Sequence, residues 1–302
     1  MKMSAKIGTG GIDWLPANSM ATRDAAKTKA TAFQNIVSGP DGNINLAEAA
    51  LLIAAPEYPD LDINACLQQL DDMATVCRAR LGPSPGPART LVTLGEYLFR
   101  DSGFHGDLKT FTDPRNSFLN EVLQRRCGIP ITLSVLYMEV GRRLGLPVHG
   151  VSFPGHFLVK VEVDGLERVI DPFSAGAVLD HGELERRLEH VATPKEKWNL
   201  EKLLTPASKR DIIARMLRNL KNIYVNSEDF ARALRIQDLL LEVQPDAPQE
   251  VRDRALLHDK LDHMRAAVAD YQMYLLLAPE SEDNERVAGR ISALRQSLQR
   301  LH

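Results

Sequence analysis

The chain has 302 residues, a formal net charge of −3, 44% hydrophobic residues and 25% charged residues. That is the balance of a soluble globular protein long enough for two ordinary domains. No stripe of Lys and Arg with interleaved aromatics runs along it, so nucleic acid is not expected as a partner. The three cysteines, Cys66, Cys77 and Cys127, form an odd, unpaired set. Such a set argues against a disulfide framework and for a reducing compartment. Lys2 and Lys6 are followed by no apolar segment, and Gly8, Gly10 and Gly11 would break one, so no signal peptide is read. The apolar stretch Ala49–Ala55 is too short to span a bilayer. A cytoplasmic protein with no membrane contact is expected.

Residues 1–37 are rich in Ala, Thr, Lys and Gly and read as a mobile N-terminal extension. A first domain is expected over 38–204. Its first helix opens at Asn45, with Glu48 three residues on, and ends at Pro56 and Pro59. A second helix runs from Asp62 to about Arg80. Ile63, Cys66, Leu67, Leu70, Met73, Ala74 and Cys77 recur along it at helical spacing, which makes Cys66 and Cys77 small core residues. The 82–87 stretch, Gly-Pro-Ser-Pro-Gly-Pro, is a loop, and a third helix follows over about Thr90–Phe99. Pro130 suits the first turn of another helix, whose Leu133, Leu136, Tyr137, Val140 and Leu144 form one apolar stripe that Gly145 stops.

Two strands come next. Phe157, Val159, Val161 and Val163 alternate with His156, Leu158, Lys160 and Glu162, the period of a half-buried strand. Asp164-Gly165 is a two-residue hairpin turn, and Leu166–Asp171 is the returning strand. With that turn, Val163 faces Leu166 and Leu158 faces Asp171. His156 shares the parity of Leu158, so His156 and Asp171 fall on one face as diagonal neighbours, about 7–8 Å apart at the backbone. A slip of one residue would separate them.

The last third, over 205–302, reads as continuous helices. Pro245 and Pro279 are 34 residues apart, as are Ala233 and Ala267. This is the period of tetratricopeptide helix pairs. Residues 211–226 and 249–261 are the expected first helices of two pairs, and a capping helix follows from Glu282. Two repeats alone are marginal, so they are expected to lean on the first domain.

Cys127, His156 and Asp171 supply a thiol, an imidazole and a carboxylate in one third of the chain. Together they could run thiol-based acyl transfer: the thiolate attacks, the imidazole moves the proton and the carboxylate holds the imidazole. Arg125, Arg126 and the helix start near Pro130 are expected to favour the thiolate. Taken singly, each of the three is better explained as a structural group: a buried thiol, a strand histidine, a turn-forming aspartate. No Cys-x-x-Cys or His-x-x-x-His accompanies His149 and His156, so no metal is expected. No Gly-rich phosphate loop is present, so no nucleotide cofactor is expected. Ser134 lacks the context of a serine nucleophile.

The segments Asn45-Leu-Ala-Glu-Ala-Ala-Leu, Asn116-Ser-Phe-Leu-Asn, Arg125-Arg-Cys-Gly-Ile-Pro-Ile-Thr-Leu-Ser134, Phe153-Pro-Gly-His-Phe-Leu158 and Ile170-Asp-Pro-Phe173 resemble the bacterial Sir-B-one family. The resemblance covers roughly residues 40–300. It implies an α+β transglutaminase-like domain, related to papain-like thiol enzymes, with a small antiparallel sheet, followed by all-α tetratricopeptide repeats. It maps the wider superfamily's catalytic Cys, His and Asp onto Cys127, His156 and Asp171. One departure is visible: in the superfamily the cysteine opens the helix, whereas Cys127 stands three residues before Pro130. Two functions are therefore expected as alternatives. One is thiol-dependent amide hydrolysis or acyl transfer on a protein or peptide. The other is a non-catalytic interaction or regulatory module that binds a protein or peptide through its C-terminal helices.

Overall fold

A computed structural model describes residues 20–191 and 198–300. In chain order the helices of the first part are α1 (Met20–Ser38), α2 (Leu46–Leu52), α3 (Ile63–Leu81), α4 (Pro87–Gly95), α5 (Leu119–Arg125), α6 (Pro130–Arg143), α7 (His181–Val191) and α8 (Leu200–Leu203). The repeats contribute α9 (Lys209–Asn226), α10 (Phe230–Val243), α11 (Pro248–Lys260), α12 (Met264–Leu277) and α13 (Asn284–Arg300). Strands β1 (His105–Gly106) and β2 (Cys127–Gly128) form a short parallel pair. Strands β3 (Val148–Val151), β4 (Leu158–Val163), β5 (Leu166–Asp171) and β6 (Ala177–Leu179) form an antiparallel sheet in that order.

Local chemistry sets the element ends. Asn45 caps α2 by accepting from the Glu48 amide at 3.3 Å, and its own amide group reaches back to the Glu48 carboxylate at 3.1 Å. Asp62 caps α3 through the Ala65 amide. Gly145, at φ 80°, ends the α6 region in a conformation that suits glycine. Asp164 and Gly165 both have positive φ, 53° and 75°, as a tight hairpin requires.

Helix α6 is the centre of the first domain. The sequence shows one apolar stripe, but every residue from Pro130 to Gly141 is buried. Helices α2, α3, α4 and α5 cover one side, β3 and β4 another, and α9 touches it as well. Its buried Thr, Ser and Glu side chains are tolerated because they have partners. Thr132 Oγ1 donates to the Asn116 carbonyl at 2.7 Å, Ser134 Oγ donates to the Phe157 carbonyl, and Glu139 accepts from Arg142 and Arg143. Strand β4 is likewise more buried than its alternation suggested. Phe157, Val159 and Val161 face the main core, while Leu158 joins Val151, Phe153, Leu179, Leu184 and Leu188 in a second layer beneath α7.

Two expectations need correction. Residues 1–19 of the expected extension lie outside the described residues. Residues 20–38, however, form α1, and Phe33 and Val37 are fully buried in the main core. Aromatic and β-branched residues among Ala, Lys and Thr are enough to anchor one face of a helix, which composition alone obscured. Cys77 is buried as expected, but Cys66 is only half-buried at the margin of α3.

The helical pairs match their predicted spacing, with Ala233 and Ala267 both wholly buried at close helix approaches. Helices α9 and α10 share the core of the first domain through Ile212, Met216, Leu220, Ile236 and Leu240. Helices α11 to α13 build a separate core around Ala255, Tyr271, Tyr274 and Ile291. Polar ties reinforce the junction. Asp41 accepts from the Lys209 and Arg210 amides at the start of α9, and Glu57 accepts from Arg232 and Arg235, both at 3.0 Å. No helix among the described residues is long and apolar enough to cross a membrane.

Phe33→Ala should lower unfolding stability by about 3 kcal/mol, read from the urea midpoint, because it opens a cavity in a packed core. An unchanged midpoint would remove α1 from the core.

Candidate functional site

The hairpin register places Val163 opposite Leu166 and Val159 opposite Ile170. That is the pairing the Asp164-Gly165 turn demanded, and it brings His156 to Asp171. His156 lies just before β4 rather than within it, in a tight turn where Gly155 has φ 68°. Its Nε2 stands 2.9 Å from Asp171 Oδ1.

Asp171 is completely buried. Its Oδ1 also accepts from the amides of Phe173 and Ser174, and its Oδ2 accepts from Ser174 Oγ at 2.8 Å and Arg187 Nη1 at 2.7 Å. Burial alone would push the carboxyl pKa up, but the hydrogen bond from His156, its charge, and the bonds from Arg187 and Ser174 together hold it well below the usual carboxylate range. An anionic Asp171 must receive a proton-bearing Nε2. The imidazole nitrogen left for any reaction partner is therefore Nδ1.

The Phe173 ring packs edge-on against His156, with centroids 5.8 Å apart, and Phe111 packs against Phe173 in turn. A cavity of about 510 Å³ opens here, lined by Pro154, His156, Asp171, Phe173, Glu183 and Arg187 among others. Cys127 is not among its lining residues.

Cys127 sits in β2, paired with His105 of β1 and 9% exposed. Its hydrogen-bond partner is Asn116 Oδ1, at 4.0 Å, and no hydrogen bond joins it to His156. Asn116 is itself fixed: its Nδ2 donates to Asp107 and to the Thr110 carbonyl, and its Oδ1 accepts from Arg125. The expectation that local cations favour the thiolate is overturned. Burial raises the Cys127 pKa first of all; Arg125 opposes this, while Asp107 and Asp113 add to it. Arg126 is not among the groups that act on the thiol; its guanidinium donates to the Ser102 carbonyl. Pro130, not Cys127, takes the first turn of α6.

The structure thus joins two of the three expected residues and seats the third in a different hydrogen-bond network. Sequence reasoning missed Arg187, Ser174, Asn116 and Phe173 as partners. Asn116 and Phe173 lay inside the quoted motifs and could have been singled out. Arg187 carries no sequence signal, since it reaches Asp171 from the next helix. His149 is exposed on β3, and no group of His, Cys, Asp and Glu among the described residues could hold a metal ion.

Comparisons with known proteins agree with this architecture. Residues 64–218 match the transglutaminase-like superfamily, and residues 220–292 match a tetratricopeptide repeat family. A UPF0162 protein of Xylella fastidiosa (strain Temecula1) is 39% identical over 262 residues, which cover 86% of this chain and 93% of that protein. A UPF0162 protein of Vibrio cholerae is 34% identical over 198 residues, covering 65% of this chain and 73% of that protein. Protein SirB1 of Salmonella typhimurium is 29% identical over 193 residues, covering 61% and 71%.

Asp171→Asn should destabilise the protein by about 3 kcal/mol at neutral pH, because it strands Arg187 beside a buried neutral group. The depressed carboxyl pKa of the folded state means that this stability is present above the unfolded carboxyl value of about 4 and is lost as pH falls below it towards the lower folded value. Urea unfolding between pH 3 and pH 7 should show a steep acid limb in the wild type and a shallower one in Asp171→Asn. Equal limbs would mean that Asp171 is not held as the anion.

Proposed function

Because the chain belongs to the family of the SirB1 and UPF0162 proteins, in which a transglutaminase-like domain precedes tetratricopeptide repeats, we propose that it works as a protein- or peptide-binding module. The repeat helices supply the recognition surface, and the transglutaminase-like domain is the rigid base on which they are mounted. One observation carries this reading over thiol catalysis: the Cys127 thiol is buried, has a raised pKa, bonds to Asn116 and stays outside the His156 cavity. A thiol in that state is a poor nucleophile at neutral pH. Leu256, Met273 and Leu276 on α11 and α12 remain exposed and offer apolar anchors to a partner. Cys66, Cys77 and Cys127 are all free thiols, which suits action in the cytoplasm.

A second reading retains thiol-based amide hydrolysis or acyl transfer, because the His156–Asp171 pair is already assembled with the imidazole oriented and its Nδ1 unused by Asp171. In that reading Cys127 as thiolate attacks an amide carbonyl, His156 gives a proton to the leaving amine, and water or a second amine completes the reaction.

Intact-mass analysis after iodoacetamide treatment of the native chain at pH 7.5 separates the two. Cys127 should react at least about tenfold more slowly than a free cysteine peptide, and fully once the chain is unfolded. Rapid labelling that vanishes in Cys127→Ala would favour the enzyme. For the recognition surface, the paired substitution Met273→Glu and Leu276→Glu should abolish retention of a partner captured by the wild-type chain. It should shift stability by no more than about 0.5 kcal/mol, as expected for exposed sites. Undiminished retention would move the surface elsewhere.

A further inference from the structure

His156 is held from behind by a residue of the repeats. Arg215 lies on α9, and its Nη2 donates to the His156 carbonyl at 2.6 Å. Its Nη1 and Nη2 both lie 3.4 Å from the Phe153 carbonyl, the same oxygen that accepts the His156 backbone amide at 3.1 Å. The guanidinium also stacks over the ring of Phe157, 5.4 Å from its centroid. It therefore touches both ends and the next residue of the turn that presents the imidazole.

Two features separate Arg215 from an ordinary interdomain arginine. No carboxylate pairs with it among the described residues, whereas Arg218, one turn further along α9, bonds to Glu250 and Gln244. Burial without a counter-ion lowers the Arg215 pKa from its ordinary value. A desolvated, unpaired cation is an expensive way to hold two helices together. Its planar fork is, however, well suited to gripping two carbonyls at a fixed angle, which a lysine ammonium cannot reproduce. The turn is otherwise held by the His156 amide's bond to the Phe153 carbonyl and by burial of Phe153 and Phe157 at its ends, while Gly155 within it takes a positive φ.

We infer that Arg215 is a positioning residue: it sets the His156 turn so that Nε2 meets Asp171, and so makes the first repeat helix part of the His–Asp pair's support. This goes beyond the binding-module reading and does not depend on it, because it concerns the geometry of the pair whatever the pair does.

The test is the solvent-exchange rate of the Nε2–H proton of His156, observed by NMR on the full chain and assigned by its loss in His156→Gln. In Arg215→Met its exchange with solvent should accelerate by about tenfold or more, since local opening of the turn releases it. Arg215→Lys should give an intermediate rate. Arg218→Met serves as the control for general weakening of α9: it should lower the melting temperature and leave the His156 proton unchanged. The inference falls if Arg215→Met is folded with wild-type exchange, or if Arg218→Met disturbs the proton as much. Should Arg215→Met fail to fold, Arg215→Lys decides, and an unaltered His156 proton in that variant overturns the assignment. Loss of partner binding in the α12 variants would leave this result standing, so the two proposals fail separately.

Discussion

The buried carboxylate of Asp171 accepts five hydrogen bonds, from His156, Arg187, the Ser174 hydroxyl and the amides of Phe173 and Ser174. Few groups can be removed so completely from water and remain charged, and this one does so because every lone pair is engaged. Around it the end of β5, the turn after it, the middle of α7 and the turn before β4 are drawn to one point. The alternation of β4 and β5 brings the hairpin there, and the α6 helix supplies the apolar floor on which the sheet rests. Shape and electrostatics in this domain are thus one problem: the sheet register has to be right for the charge to be tolerated.

The thiol belongs to a different network. Cys127, Asn116, Asp107, Thr110 and Arg125 form a polar cluster at the β1–β2 pair, and the Phe173 ring reaches from that pair to the histidine: it lies against Gly106, where a Cβ would stand only 2.6 Å from it, and against His156. An aspartate-rich, buried setting stabilises a protonated sulfur just as a cation-rich one would stabilise a thiolate. The same superfamily fold can carry either arrangement, since chemistry resides in the site and not in the scaffold.

Much of this was legible in the sequence. The Asp164-Gly165 turn fixed the register, and the register implied the meeting of His156 with Asp171. Asn45, Asp62 and Gly145 marked helix ends because capping is local chemistry, and the 34-residue spacing of Ala233 and Ala267 marked close helix approaches. What the sequence hid was non-local. The electrostatics of Cys127 were misjudged because Arg125 and Arg126 are adjacent in the chain, while the burial that raises its pKa, and Asp107 and Asp113 that add to it, arrive through folding. Arg187 and Arg215 reach the site from helices 16 and 59 residues away from their partners. Helix α1 escaped notice because only Phe33, Val37 and a few neighbours face the core, too sparse a pattern to register against an Ala- and Lys-rich background.

Helix α1 packs against α10, on the far side of the molecule's sequence. It also packs against α2, so during synthesis the apolar face that bears Phe33 and Val37 meets its first neighbour at once and its second only some 200 residues later. At elongation rates of about 5–20 residues per second that delay is on the order of 10–40 s. For that interval the nascent chain carries a half-covered greasy helix, and the early segment is fully enclosed only when the last third arrives. Order of emergence and order of assembly are thus only partly coupled for this helix.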